Sequence, residues 1–280
     1  FFTLFGTALK NGGTGIDDFS RRLKAWNDLL VRNVPDILRT NTKFLSRLSD
    51  NPNMVNYIDN LTPAGKTNLA NNADEWIKIY DARAPLKNGN VNDAVNVLGG
   101  SLGSPHAHIG GNYVKALSTA QETKFSQIIN SSTIDANIAS NLGLDQSVIQ
   151  SAKEHMFITE HLVETSSGGF VKGRFDVAFE QAKWWTDVAD GNLDNADDLR
   201  KLIAHEFIES KLMQEGIIYS PFTSSSAAKY GAHQLSVHDF LLKFDHWGSV
   251  LGRNIPSFSL NPNLSNIDDV VSQIKTIEGL

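Results

Sequence analysis

The 280 residues contain no cysteine, which excludes disulfides, thiol nucleophiles and thiolate-held metals. Any metal must therefore sit on His, Asp and Glu. No apolar run approaches the roughly 18 to 20 residues that a membrane-spanning helix needs, so a soluble fragment that inserts into no membrane is expected. An initiator Met is absent, and Phe1-Phe2-Thr3-Leu4-Phe5 has no basic stretch ahead of it, unlike a signal peptide. The chain thus reads as a piece of a longer protein. Positive charge is scarce as well: 25 Lys and Arg face 31 Asp and Glu. The shortfall lies in residues 101–280, with 13 against 21, whereas 1–100 carry 12 against 10. An acidic half is a poor host for nucleic acid, because Lys and Arg on phosphates supply most non-specific affinity. Carboxylates clustered on cations would lift that objection.

Apolar residues make up 41% of the chain, enough to bury a core, and their spacing is mostly helical. In 16–34 the residues Phe19, Leu23, Trp26, Leu29 and Leu30 recur at three- and four-residue steps and form one stripe. Pro35, Pro52 and Pro63 punctuate the following segments, and a further helix opens at Asn72 and ends before Ala84-Pro85. The Gly-rich stretch 98–105 marks a boundary. Beyond it the pattern predicts helices over 115–130, 147–164, 179–188, 196–214, 237–242 and 267–277. A turn is expected at Ser166-Ser167-Gly168-Gly169, then an extended piece over 170–175 that pairs into a ribbon. The predicted fold is mainly α, a helical bundle with at most a small β-ribbon. Residues 1–100 form a helical leading segment in this reading, and 101–280 the domain that carries chemistry.

All eight histidines, His106, His108, His155, His161, His205, His233, His238 and His246, lie beyond that boundary. On a helix His205 and Glu209 project from one face, with Glu206 about 100° round. They either share a divalent cation or form an ordinary His–Glu pair on a partly exposed helix. A second group is Glu154-His155 with Glu160-His161. Over a continuous helix Glu154 and His161 share a face, whereas His155 and His161 do not. Glu154 and His161 set opposite His205 and Glu209 would make a site of two His and two carboxylates; a polar helix edge is the other reading. His233, in Gly231-Ala232-His233, is the natural third ligand from a separate element, ahead of His238. In an extended segment His106-Ala107-His108 turns both rings to one side, as a metal site or as a surface loop. Arg174 suits a phosphate or carboxylate, or else pairs with Asp176 to tie a loop to the helix beneath.

Taken in order, Lys153-Glu154-His155, Glu160-His161, Gly173-Arg174-Phe175-Asp176, Trp185, His205-Glu206 with Glu209, and Ala232-His233 resemble the C-terminal toxin region of bacterial polymorphic toxins, such as those carried by rearrangement-hotspot proteins. The stretch concerned, 139–239, is about a third of the chain. The resemblance implies a helical enzyme domain at the end of a long secreted carrier, delivered into the cytoplasm of a target cell and countered in the producer by a cognate immunity protein. Residues 1–100 would then be a linker or pre-toxin segment. Zinc deaminases are disfavoured without thiolate ligands. His205-Glu206 points to a zincin-like metallopeptidase with Glu206 as general base. That family's second His is Glu209 here, so its ligands would be His205, Glu209 and His233. The first expectation is a metal-dependent nuclease acting on DNA or RNA. It would hold a divalent ion (Zn, Mn or Mg) on His205, Glu209 and His233, with His155 and Glu154 as further candidate ligands. His161 would activate the attacking water, and Arg174 would hold phosphate. A non-enzymatic binding module is the remaining alternative.

Overall fold

The computed structural model describes residues 60–105, 108–110, 113–114, 117–165, 169–219, 231–236 and 259–280, with single positions between 41 and 58. The stripe predicted over 16–34, the helix over 237–242, the turn at 166–168, and His106, His238 and His246 lie outside the described residues, as does the side chain of His108.

Helix α1 (Pro63–Asn71) opens on Thr62, whose hydroxyl accepts from the Gly65 N–H at 3.1 Å, and Pro63 sits in the first turn where its missing N–H costs nothing. Helix α2 (Ala73–Lys87) runs through Pro85 instead of stopping before Ala84. Pro85 falls in the final turn, so a single interior hydrogen bond is lost, and the Asn88 N–H still reaches the Ala84 carbonyl at 3.2 Å. Helix α3 (Val91–Leu98) ends on Gly99, whose φ of +80° is the left-handed stop that glycine adopts freely. Trp76 and Ile77 of α2 bury themselves with Phe44, Ile58 and Leu69 in a cluster of their own.

The larger core belongs to α4 (Thr119–Asn130), α5 (Ile134–Leu142), α6 (Gln146–Lys153), α7 (Phe179–Ala189), α8 (Ala196–Gln214), α9 (Ala232–Ser236) and α10 (Ile267–Ile277). Reciprocal bonds between Ser118 and Gln121 cap α4, and Asp145 caps α6 through the Ser147 N–H at 2.7 Å. The predicted bounds of α8 and α10 match the structure. Helix α8 lies centrally and packs on α6, α7, α9 and α10. Its Leu199, Ile203, Ile208 and Leu212 are wholly buried, each side chain stabilising the fold by about 1.5–3 kcal/mol relative to exposure. Trp185 of α7 meets Phe157 edge-on at 5.6 Å, and Phe157 meets Phe125 at 5.1 Å. A buried ion pair, Lys153 Nζ to Asp135 Oδ2 at 2.7 Å, ties α6 to α5.

Four short strands make one sheet in the order β2 (Tyr113–Val114), β1 (His108–Gly110), β4 (Phe170–Phe175), β3 (His161–Glu164). Strands β3 and β4 pair antiparallel with Leu162 opposite Lys172, and β1 runs parallel to β4 with His108 opposite Arg174. The ribbon expected at 170–175 is thus present, extended by two further strands. Its partner β3 comes from the second half of the helix predicted over 147–164. Helix α6 stops at Lys153, a single wide π turn (Glu154–Ile158) follows, closed by the Thr159 N–H on the Glu154 carbonyl at 2.8 Å, and the chain then extends. Over His161-Leu162-Val163 the burial alternates, as a strand requires, and ladder bonds to β4 replace helical ones.

The leading helices dock on this body beside the end of α8. Lys87 Nζ and Lys275 Nζ both reach Glu215, at 2.5 and 2.7 Å. At Gly216 an added Cβ would lie 2.1 Å from the Arg83 carbonyl oxygen, and φ is +85°, so contact and conformation both require glycine.

Candidate metal centre

Helix periodicity does what the spacing of His205 and Glu209 requires: their polar ends meet, with Nε2 of His205 3.3 Å from Oε2 of Glu209. His233, on the short helix α9, brings Nδ1 to 2.9 Å from the same carboxylate oxygen and 3.2 Å from His205 Nε2. Three donor atoms therefore form a triangle with edges of 2.9, 3.2 and 3.3 Å. Ligands at 2.0–2.1 Å from a tetrahedral ion stand about 3.3–3.4 Å apart, so the three need to shift by only a few tenths of an ångström to share one. His205 is oriented from behind: its Nδ1 donates to the carbonyl of the fully buried Ser236 at 3.1 Å, which turns Nε2 toward the cluster. Histidine ligands are characteristically held by such a bond to a carbonyl.

The approach of α9 depends on Gly231. A Cβ there would lie 2.1 Å from the Tyr219 carbonyl oxygen, and the backbone it allows lets the Ala232 and His233 N–H groups bond Ile218 and Tyr219 carbonyls at 2.8 and 3.0 Å. His233 is thereby fixed to the segment that leaves α8.

On the other side of Glu209 stands His155, with Nε2 2.8 Å from Oε1. His155 lies in the π turn, and that turn frees its carbonyl to accept from His161 Nε2 at 2.8 Å. The His161 ring stacks on Phe175 at 4.0 Å and 13° and meets the His155 ring at 4.4 Å. The two histidines that a continuous helix would separate are therefore neighbours, and His155 reaches Glu209 whereas Glu154 is exposed. His161 is bonded to a backbone carbonyl and, among the described residues, to no carboxylate. Burial and the adjacent His155 push its pKa down to about 3, so its ring stays neutral near pH 7.

Glu206 faces the same interior. Its Oε2 is shielded from solvent, has no hydrogen-bond partner among the described residues, and lies 3.9 Å from His155 Nε2. Burial and the nearby Glu209 raise its carboxyl to about 8. Burial acts on Glu209 in the same sense, but bonds from His155, His205 and His233 outweigh it and hold that carboxyl well below the ordinary range. Two residue groups can hold a metal ion here, His205 with Glu209 and His233, and His155 with Glu206 and Glu209.

Beside them opens a cavity of about 160 Å³ bordered by Asp176, Gln181, Glu206, Glu209, Tyr219 and His233. Tyr219 and Gln181 carry no signal in the sequence alone. Tyr219 arrives because Gly216 ends α8 and turns the chain back. Its ring packs on Phe175 at 4.9 Å and His233 at 5.1 Å, and burial with the two glutamates pushes its hydroxyl well above the usual range. Arg174 is placed elsewhere, at a cleft against α4 with Glu122, Phe125 and Ile129. No helix among the described residues is long and apolar enough to cross a membrane. No family model, curated protein or solved structure matches the chain.

Proposed function

We propose that this chain is the metal-dependent hydrolase domain of a bacterial toxin and that it cleaves a phosphodiester of DNA or RNA. The observation that carries the hydrolase reading is the triangle of His205 Nε2, Glu209 Oε2 and His233 Nδ1, two of whose residues border a cavity. Three protein ligands with a further position left for water or substrate is the pattern of catalytic metal sites. Two nitrogens and one oxygen suit Zn or Mn better than Mg, which favours oxygen donors.

A divalent ion at this place lowers the pKa of a bound water toward neutrality and offsets charge that builds on the substrate. The chain supplies the rest. His205 is locked by Ser236, His233 by the Tyr219 backbone, and Glu209 by His155, so the ligands are preorganised. Tyr219 keeps its proton and can donate it in a hydrogen bond to an oxygen of the substrate. In the overall reaction the water oxygen bonds to phosphorus and the P–O bond to the leaving sugar oxygen breaks. That oxygen takes a proton, and the other product is a phosphate monoester. His161 acts through His155, as the prop of its backbone, and Arg174 stands apart from the cavity. The toxin setting, with a secreted carrier, action in a target cytoplasm and a cognate immunity protein, follows from the resemblance of 139–239.

A second reading, a zincin-like peptidase in which Glu206 takes the water's proton, is favoured by one observation. The described residues that border the cavity include no Lys or Arg to meet a phosphate. Purified protein given Mn, Zn or Mg separates the two when incubated with plasmid DNA, with RNA and with denatured casein, beside His205→Ala. Nucleic acid cut by the parent alone supports the nuclease, casein cut with nucleic acid intact supports the peptidase, and no cleavage of any of them overturns the hydrolase reading.

A further inference from the structure

With His205, Glu209 Oε2 and His233 assigned to one cation, three donors of the same cluster remain unused: His155 Nε2, Glu206 Oε2 and the other oxygen of Glu209. We infer that they form a second divalent-cation site, so that Glu209 bridges two ions, one on each carboxylate oxygen. The inference rests on the hydrolase reading above and deepens it by fixing the substrate class.

Three observations carry it. Glu209 already divides its oxygens, Oε1 facing His155 at 2.8 Å and Oε2 facing His233 at 2.9 Å. A carboxylate used this way holds two cations at the spacing of roughly 3.5–4 Å found in two-metal hydrolases. Secondly, Glu206 Oε2 is buried with no hydrogen-bond partner among the described residues, and in its ionised form this is a costly arrangement unless a positive charge completes it. His155 Nε2 stands 3.9 Å away, too far for a hydrogen bond and close enough for both atoms to ligate one ion. Thirdly, the chain places Glu206 and His155 deliberately apart from the first trio: Glu206 lies round the helix from His205, and His155 is delivered by the π turn from the opposite side.

Charge then selects the substrate. Asp176, Glu206 and Glu209 all border the cavity. When ionised they outnumber the charge of one divalent ion, leaving a negative site that repels a phosphodiester. A second divalent ion reverses the sign, and the site attracts one. With the sign reversed, the entering and leaving oxygens of a phosphodiester can each be held by a cation.

The test is a count. The full chain, freed of metal and titrated with Mn²⁺, is followed by calorimetry and by electron paramagnetic resonance, with Glu206→Gln and His233→Ala beside it and circular dichroism to confirm folding. Two equivalents per chain and a spin-coupled Mn pair are expected, with one uncoupled ion in Glu206→Gln. Cleavage of a plasmid is expected to begin only after the first equivalent is exceeded. One equivalent in the parent, unchanged by Glu206→Gln and lost in His233→Ala, overturns the second site and leaves the hydrolase reading standing. No bound Mn²⁺ in the parent overturns both.

Discussion

Glu209 and His155 meet at 2.8 Å although 54 residues separate them, and both side chains are almost completely buried. That contact joins the middle of α8 to the π turn after α6, and every other member of the cluster is arranged around it.

Loss of the Glu209 side chain is therefore expected to hurt folding as well as binding. Three histidine rings face this carboxylate, and removing one partner of a buried charge network costs about 3–5 kcal/mol. Urea denaturation of metal-free Glu209→Ala against the parent measures this. A cost within a few tenths of a kcal/mol would contradict the buried network.

Acid sensitivity should trace in part to His161. Its folded-state pKa is depressed to about 3 from the usual 6.5, so the unfolded chain binds a proton that the folded chain refuses. The stabilising contribution is complete above about pH 6.5 and is lost as pH falls toward 3, with a slope of at most about 1.4 kcal/mol per pH unit. In His161→Gln, which retains a donor for the His155 carbonyl, the decline of the urea midpoint between pH 6.5 and 4 is expected to be shallower. An identical slope in the two proteins would show that His161 is not held neutral.

Glu206 has the opposite sign. Its folded pKa is raised to about 8 from 4.5, so in metal-free protein the folded state keeps a proton that the unfolded state releases. Stability from this group falls as pH rises from about 4.5 through 8. Glu206→Gln is expected to gain stability over the parent at pH 8–9 without metal, and Mn²⁺ should abolish that advantage by stabilising the parent. Thermal melts with and without the ion read both effects.

Much of this arrangement is legible in the residues. Helices α8 and α10 carry apolar residues at helical spacing, strand β4 follows the Ser- and Gly-rich stretch 166–169 of the sequence, and each of the three has its predicted bounds. His205 and Glu209 meet because four residues make about one helical turn, and His233 follows a glycine that permits close approach. The π turn is not legible: over 147–164 the apolar pattern suits a helix, and only the pairing of β3 with β4 makes extension the better outcome. That change exchanges Glu154 for His155 at the carboxylate and carries His161 to the ring of Phe175. The parallel pairing of β1 with β4 joins segments far apart in the chain, which local patterns do not report. Tyr219 and Gln181 enter through tertiary packing alone.

Gly231→Ala is expected to disturb the first cation site selectively. The new Cβ would overlap the Tyr219 carbonyl, pushing α9 and His233 away from Glu209. A fall of about 10–100-fold in affinity for the first equivalent of Mn²⁺ or Zn²⁺ is expected, with the helical circular dichroism signal retained. Unchanged affinity would mean that His233 is not a ligand.

The most direct measurement is crystallographic: crystals of the chain soaked in Zn²⁺, with anomalous scattering recorded at the zinc edge. The expected result is a peak about 2.0–2.2 Å from each of His205 Nε2, Glu209 Oε2 and His233 Nδ1. A map with zinc elsewhere, or with none on these three atoms, would contradict the metal centre and with it the hydrolase.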